Sequence, residues 1–147
     1  MSATHIGVVG GGQMGRGIAQ VAAQHGCEVV LADADHHLAD AAVATIADTL
    51  DRLVAKGKLG AAEAQSVTGR LRAAATLDDL ADCDVVIEAA PEDEALKRAL
   101  FRQLDEICAA RTILASNTSS IPIARLGEAT GRPDRVIGMH FMNPVPL

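Results

Sequence analysis

Three consecutive glycines, Gly10, Gly11 and Gly12, followed by Gln13, Met14 and Gly15, restrict this chain more than any other stretch. They come directly after a short apolar run, residues 5–9, and open a segment of helical composition, residues 13–25. Strand, glycine turn and helix in that order form the opening of a dinucleotide-binding βαβ unit. Gly10 lets the chain turn sharply off the strand, Gly12 clears room for a diphosphate against the backbone, and Gly15 brings the helix close to the strand. The helix start then offers unpaired N–H groups and a positive dipole end to that diphosphate.

A glycine turn alone is weak evidence, and two further features strengthen it. A second apolar run, residues 28–32, ends in Asp33, about 20 residues beyond the glycines, where the fingerprint places its acidic residue. A carboxylate there accepts hydrogen bonds from the hydroxyls of an adenosine ribose and repels a 2′-phosphate. NAD is therefore favoured over NADP, and the residues that follow, Ala34, Asp35, His36 and His37, include no arginine to offset that preference. Asp33 and Asp35 are also of the type that caps a helix, a role that competes with ribose binding at Asp33.

The rest of the chain alternates between the two periodicities. Residues 38–56 carry Val43, Ile46, Leu50 and Leu53 at helical spacing. Arg52, Lys56 and Lys58 gather at the end of that helix, where cations complement the dipole; they also suit a phosphate-bearing tail. A shorter helix is expected over 61–71 and a weak strand over 73–76. Residues 84–88 form a continuous β-branched run suited to a sheet covered on both faces. Pro91 is expected to start a helix reaching about residue 110, with Leu96, Leu100, Leu104 and Ile107 as its buried stripe and Glu92, Asp93 and Glu94 in its first turn. Residues 112–115 and 136–139 read as strands, with a short helix over 121–126 that has Pro122 in its first turn and Ser120 as its cap.

This order predicts an α/β fold: a doubly wound, mostly parallel sheet of Rossmann type, one domain over residues 1–147. Polar residues collect at five expected strand ends: the glycine loop, Asp33, residues 88–92, 116–120 and 140–143. Ligands in such sheets lie beyond the C-terminal ends of the strands, so those five ends point to one site.

Composition narrows the partners. The net charge of −6 and the near absence of aromatics, only Phe101 and Phe141, argue against nucleic acid. No apolar run is long enough to span a bilayer, and the first strand begins too early to leave room for a leader, so a cytoplasmic location is expected. Cys27, Cys83 and Cys108 have no metal-binding spacing and read as reduced, buried small hydrophobes; no metal is expected.

Taken together, IGVVGGGQMGRGIA (6–19), VVLAD (29–33), KGKL (56–59), DVVIEAAPE (84–92), ILASNTSS (113–120) and RVIGMHFMNPVP (135–146) resemble the NAD-binding domain of the 3-hydroxyacyl-CoA dehydrogenases, in particular the bacterial 3-hydroxybutyryl-CoA type. The resemblance runs through nearly the whole chain. It implies an oxidoreductase that passes a hydride between NAD and the 3-hydroxyl carbon of an acyl-CoA.

Within it, His140 matches the general acid/base and Ser119 the serine that hydrogen-bonds the reacting oxygen. Gly10, Gly12, Gln13, Met14, Gly15 and Asp33 match cofactor contacts, as do Glu92, Lys97, Asn117 and Asn143. Lys56 matches a lysine near the coenzyme A tail. From the residues alone, His140 is equally a satisfied strand-end histidine, Ser119 a cap, the two asparagines turn formers, and Glu92 with Lys97 an i, i+5 pair of surface charges. In the family a glutamate about a dozen residues past the histidine orients it, and a second, helical domain closes over the acyl group and makes the homodimer. Neither lies within these 147 residues. The expectation is therefore a domain that binds NAD, turns over substrate poorly and exposes apolar surface through which it self-associates. Two rivals remain: a β-hydroxyacid dehydrogenase acting on free acids, and a non-catalytic NAD-binding module.

Overall fold

The computed structural model describes residues 4–143, 145 and 146; Met1–Ala3, Pro144 and Leu147, which fall within the expected N-terminus and the terminal motif, lie outside the described residues. Among the described residues, six strands form one parallel sheet. They are β1 (His5–Val9), β2 (Glu28–Ala32), β3 (Leu71–Ala73), β4 (Val85–Glu88), β5 (Ile113–Ser116) and β6 (Val136–Gly138), in the order β3-β2-β1-β4-β5-β6. The order reverses between β1 and β4. The turns after these two strands therefore leave in opposite directions and open a crevice at their C-terminal ends.

Helices α1 (Gln13–Gln24), α2 (His36–Ala55) and α3 (Ala61–Gly69) cover one face; α4 (Glu94–Ile107) and α5 (Ile123–Gly127) cover the other. Side-chain alternation along each strand divides the core. Val8, Leu31, Ile87 and Ala115 face the α1–α3 layer, with Ile18, Ile46, Leu50 and Val67. Val9, Val30, Val86 and Leu114 face the α4–α5 layer, with Phe101, Leu104 and Leu126. Burying each of the larger side chains contributes about 1.5–3 kcal/mol. Cys83 and Cys108 are buried free thiols and Cys27 is half-buried. Burial pushes the Cys83 thiol up to about 11, with the neighbouring Cys108 adding to the effect. No helix among the described residues is long and apolar enough to cross a membrane.

Several boundaries differ from expectation. Helix α3 stops at Gly69, and the strand is Leu71–Ala73 rather than 73–76: Leu71 pairs with Val29 and buries its side chain, which outweighs the helical composition before it. Helix α4 starts at Glu94, because the Asp93 side chain accepts the Leu96 N–H at 3.0 Å and makes Asp93 the N-cap. Glu92 therefore precedes the helix. The buried face of α4 is Lys97, Phe101 and Leu104, while Leu96 is 40 % exposed on a cavity wall. The expected stripe is thus rotated, and the reason is Lys97: its charge is matched inside the protein, so a lysine replaces Leu96 on the inner face. Ser120 does not cap α5; Pro122 stands at that N-cap, and the Ser120 hydroxyl turns to Glu92.

Candidate active site

Gly10 takes φ +110°, and a Cβ there would come within 2.5 Å of the Ala89 carbonyl oxygen, so the turn off β1 admits only glycine. A Cβ on Gly15 would overlap the Gly10 carbonyl oxygen at 1.7 Å; α1 therefore packs first on the loop's own carbonyl, with Val8 of the strand at 3.6 Å. A Cβ on Gly12 would meet nothing within 4 Å beyond its own neighbours, so the loop opens on free space at the start of α1. Gly12 is the N-cap of α1 and offers no side-chain acceptor, which leaves the first N–H groups of the helix to a ligand. This is a cradle that fits a diphosphate.

Asp33 follows β2 and does not cap a helix; Asp35 does, accepting the Leu38 N–H at 3.0 Å. The Asp33 Oδ2 accepts the Gly11 N–H at 2.8 Å and its Oδ1 the Ala34 N–H at 2.7 Å. On the other side of the same loop residue, Arg16 Nη1 donates to the Gly11 carbonyl at 3.0 Å. Asp33 lies at the mouth of a cavity of about 510 Å³ whose apolar wall includes Ala90, Leu77, Leu96 and Leu100. The last two were expected in the core stripe of α4. The volume and apolar wall could take the adenosine half of a dinucleotide, with the Asp33 carboxylate as a hydrogen-bond acceptor on its lining.

A second cavity, of about 360 Å³, lies beyond β4, β5 and β6 and brings together Met14, Asn117, Ser119, His140 and Asn143. Glu92 and Lys97 also line it. The imidazole of His140 and the hydroxyl of Ser119 are exposed, and neither forms a hydrogen bond with another described residue. Both are thus available to a ligand.

Beneath this cavity lies a polar network that the sequence did not disclose. Glu88 at the end of β4 is 0 % exposed and Lys97 1 %. Lys97 Nζ donates to Glu88 Oε2 at 2.5 Å, to the Ala90 carbonyl at 3.0 Å, and approaches Glu92 Oε1 at 3.3 Å. Ser116 Oγ and the Ala90 N–H complete the shell of Glu88. Lys97 and Glu92 are therefore not a pair of surface charges. The signal for Glu88 was a carboxylate at the end of an otherwise apolar run: a strand buried on both faces must pair such a charge.

Glu92 reaches across to the loop after β5. Its Oε2 accepts Thr118 Oγ1 at 2.8 Å, Ser120 Oγ at 2.9 Å and the Ser119 N–H at 3.3 Å. Burial pushes this carboxyl up, but the hydrogen bonds from Thr118, Ser120, Lys97 and Ser119 outweigh it and hold it at about 2.

Lys56 lies apart from this cavity. It is the exposed C-cap of α2, one turn past Arg52. Arg52 and Arg16 line a smaller groove between α1 and α2 of about 240 Å³, which shares Asn143 with the His140 cavity.

Comparison with known proteins supplies the context. Residues 5–147 match the family described as 3-hydroxyacyl-CoA dehydrogenase, NAD binding domain. A probable 3-hydroxybutyryl-CoA dehydrogenase of Deinococcus radiodurans is 52 % identical over 142 residues, which cover 97 % of this chain and 51 % of that protein. A probable 3-hydroxybutyryl-CoA dehydrogenase of Bacillus subtilis is 47 % identical over 147 residues, covering 100 % of this chain and 51 % of the relative. The crystal structure of (S)-3-hydroxybutyryl-CoA dehydrogenase from Ralstonia eutropha superposes with a TM-score of 0.94 at 46 % identity, over 99 % of this chain and 52 % of the other. The chain thus spans about half the length of the relatives it matches.

Proposed function

This chain belongs to the 3-hydroxyacyl-CoA dehydrogenase family, as its NAD-binding domain, and from that premise we propose that it forms the cofactor half of an enzyme that interconverts a 3-hydroxyacyl-CoA and the 3-ketoacyl-CoA, with four-carbon acyl groups as substrates. The observation that carries the proposal is the convergence of His140, Ser119 and Asn117 on one cavity, beside Met14 of the glycine-loop helix.

Bound NAD supplies the hydride acceptor. The open cradle at Gly12 and the α1 N-terminus would hold the diphosphate, with Gly10, Gln13, Met14 and Gly15 shaping that turn, and Asp33 would take the adenosine ribose. Asn143, Glu92 and Asn117 line the His140 cavity and would border the nicotinamide end. Lys97, whose three N–H groups face Glu88, Ala90 and Glu92, supports Glu92 from below.

The exposed imidazole of His140 takes the proton of the substrate 3-hydroxyl as the hydrogen on that carbon leaves with its electron pair. The C–O bond becomes a carbonyl; in the reverse direction His140 returns the proton. An imidazole suits this exchange near neutral pH. The free hydroxyl of Ser119 donates to the reacting oxygen and stabilises the charge that develops on it. Lys56, at the end of α2, and Arg52, one turn before it, would meet the phosphate-bearing acyl-CoA tail. In the whole protein, the remaining half of the relatives' length carries the substrate lid and the homodimer contacts, and the enzyme works in the cytoplasm.

The test is NADH oxidation by acetoacetyl-CoA against a free 3-keto acid, followed by cofactor fluorescence, for which a chain with no Trp or Tyr gives a dark background. Oxidation by the thioester alone, lost in His140→Ala with NADH affinity retained, is the expected result. Preference for the free acid would favour the β-hydroxyacid dehydrogenase rival. Binding without oxidation, both here and in a full-length form, would leave a non-catalytic module.

A further inference from the structure

We propose that Asn117 is a positioning residue for His140: its side-chain carbonyl holds the backbone directly after the imidazole. The proposal rests on the assignment of His140 as the acid/base group and adds what keeps that group in place within this domain.

The pairing of β5 with β6 ends at Ser116 opposite Gly138. One more bond in the same sense follows, from the Met139 N–H to the Ser116 carbonyl at 2.8 Å. There the two chains part. The Asn117 N–H turns to the Glu88 carbonyl at 2.9 Å, and the Thr118 N–H turns back to Ser116 Oγ at 3.1 Å. The backbone of this loop supplies no acceptor for the N–H two residues past Met139. The Asn117 side chain does: its Oδ1 accepts the Phe141 N–H at 2.8 Å.

An amide side chain thus takes the place of the next strand carbonyl and extends the ladder by one rung. The two peptide N–H groups on either side of position 140 are both fixed, by the last residue of β5 and the residue that follows it. His140 itself has no side-chain partner among the described residues, so its placement comes from this backbone clamp.

The chemistry also fixes which way the amide points. Phe141 presents a donor, so the oxygen must face it, and the NH₂ group faces elsewhere. Asn117 borders the His140 cavity as well, so that NH₂ is free to meet a ligand. Positioning uses the oxygen and ligand binding uses the nitrogen, and substitutions separate the two. Asn117→Asp keeps an oxygen toward Phe141 and loses the NH₂ group; Asn117→Ala loses both.

The experiment is amide exchange and imidazole NMR on this chain labelled with nitrogen-15, with the His140 signals assigned by their loss in His140→Gln. In Asn117→Ala the Phe141 amide should exchange about tenfold faster, the equivalent of one net hydrogen bond, and the His140 ring signals should move. Asn117→Asp should restore the protection. Should the alanine variant fail to fold by circular dichroism, Asn117→Ser, too short to reach Phe141, takes its place with the same expected result. Unchanged Phe141 exchange in the alanine or serine variant overturns the proposal, as does an aspartate variant that exchanges as fast as alanine. NADH titration of the same proteins separates a cofactor role: equal losses of affinity in Asp and Ala with Phe141 protection intact would assign Asn117 to the cofactor alone and end the positioning role. Failure of the His140 assignment would show differently, as thioester-dependent oxidation surviving in His140→Ala, and would leave the exchange rates untouched.

Discussion

The Asp33 carboxylate accepts the Gly11 N–H at 2.8 Å, tying the end of β2 to the glycine loop that follows β1. One side chain therefore shapes the loop and borders the cavity in which we place the adenosine ribose. The Ala34 N–H occupies its other oxygen, yet each carboxylate oxygen has a lone pair to spare. Asp33→Ala should weaken NADH binding by at least about tenfold, the scale of one or two hydrogen bonds to a charged group. Asp33→Asn, which keeps one acceptor for Gly11, should fall between. Fluorescence titration decides, and retained affinity in the alanine variant would remove Asp33 from the ribose site.

The buried pair of Lys97 and Glu88 yields a stability prediction. Neither side chain reaches water to any extent, so each depends on the other for its charge. Lys97→Met should cost about 3–5 kcal/mol, because it leaves Glu88 buried without a counter-charge. Adding Glu88→Gln should recover most of that loss, since the amide oxygen can still accept the Ala90 N–H while its NH₂ donates to the Ser116 hydroxyl, which can turn to accept. Urea unfolding of the two single variants and the double variant measures the coupling. Additive losses would mean that the two charges do not meet inside the fold.

How far the sequence disclosed this molecule depends on the interaction concerned. The parallel sheet was legible because its strands are apolar on both faces, and such strands need helices on each side. The glycine loop and Asp33 were legible because backbone geometry and one carboxylate at a fixed distance carry them. The inner face of α4 was not. Leu96, Leu100, Leu104 and Ile107 repeat at helical spacing, but the interior accepts Lys97 because Glu88 waits on a strand nine residues earlier. Hydrophobic periodicity carries no information about a charge matched from another element. The Asn117 to Phe141 bond was hidden for a similar reason: it joins two loops 24 residues apart, and asparagine at a strand end equally signals a turn.

Arg132 lies just before β6 in the chain and ties that approach to the end of α4 and the residue that precedes β5. It is 9 % exposed, and all five of its N–H groups find acceptors. Nε donates to Asp105 Oδ1 at 2.7 Å, and the two terminal nitrogens donate to the carbonyls of Ala109, Thr112, Asp105 and Cys108. Two of these, Asp105 in the last turn and Cys108 at the C-cap, are open carbonyls at the end of α4. Arg132→Lys should therefore fail to rescue Arg132→Ala, because one ammonium group cannot span the fork. Both should lose about 3 kcal/mol or more in denaturant unfolding. A lysine variant as stable as wild type would show that charge alone matters here.

Glu92 makes stability depend on pH in a defined direction. Its folded pKa of about 2 lies below the ordinary 4.5, so the folded state binds this proton less readily than the unfolded chain does. The stabilisation is thus fully present above about pH 4.5 and is lost as the pH falls through about 2. The side chain is 42 % exposed, so solvent screens it, and the contribution is about 1 kcal/mol rather than the full linkage value. Glu92→Gln removes the titration but leaves an oxygen for Thr118 and Ser120. Urea midpoints of wild type and Glu92→Gln should differ by a constant amount above about pH 5 and converge below it, since every other carboxylate titrates alike in both. The Ser119 N–H should exchange faster in the variant at neutral pH, because Glu92 is what holds that loop. A stability gap that stays constant down to about pH 2.5 would mean that the carboxylate carries no charge-dependent contact with the loop.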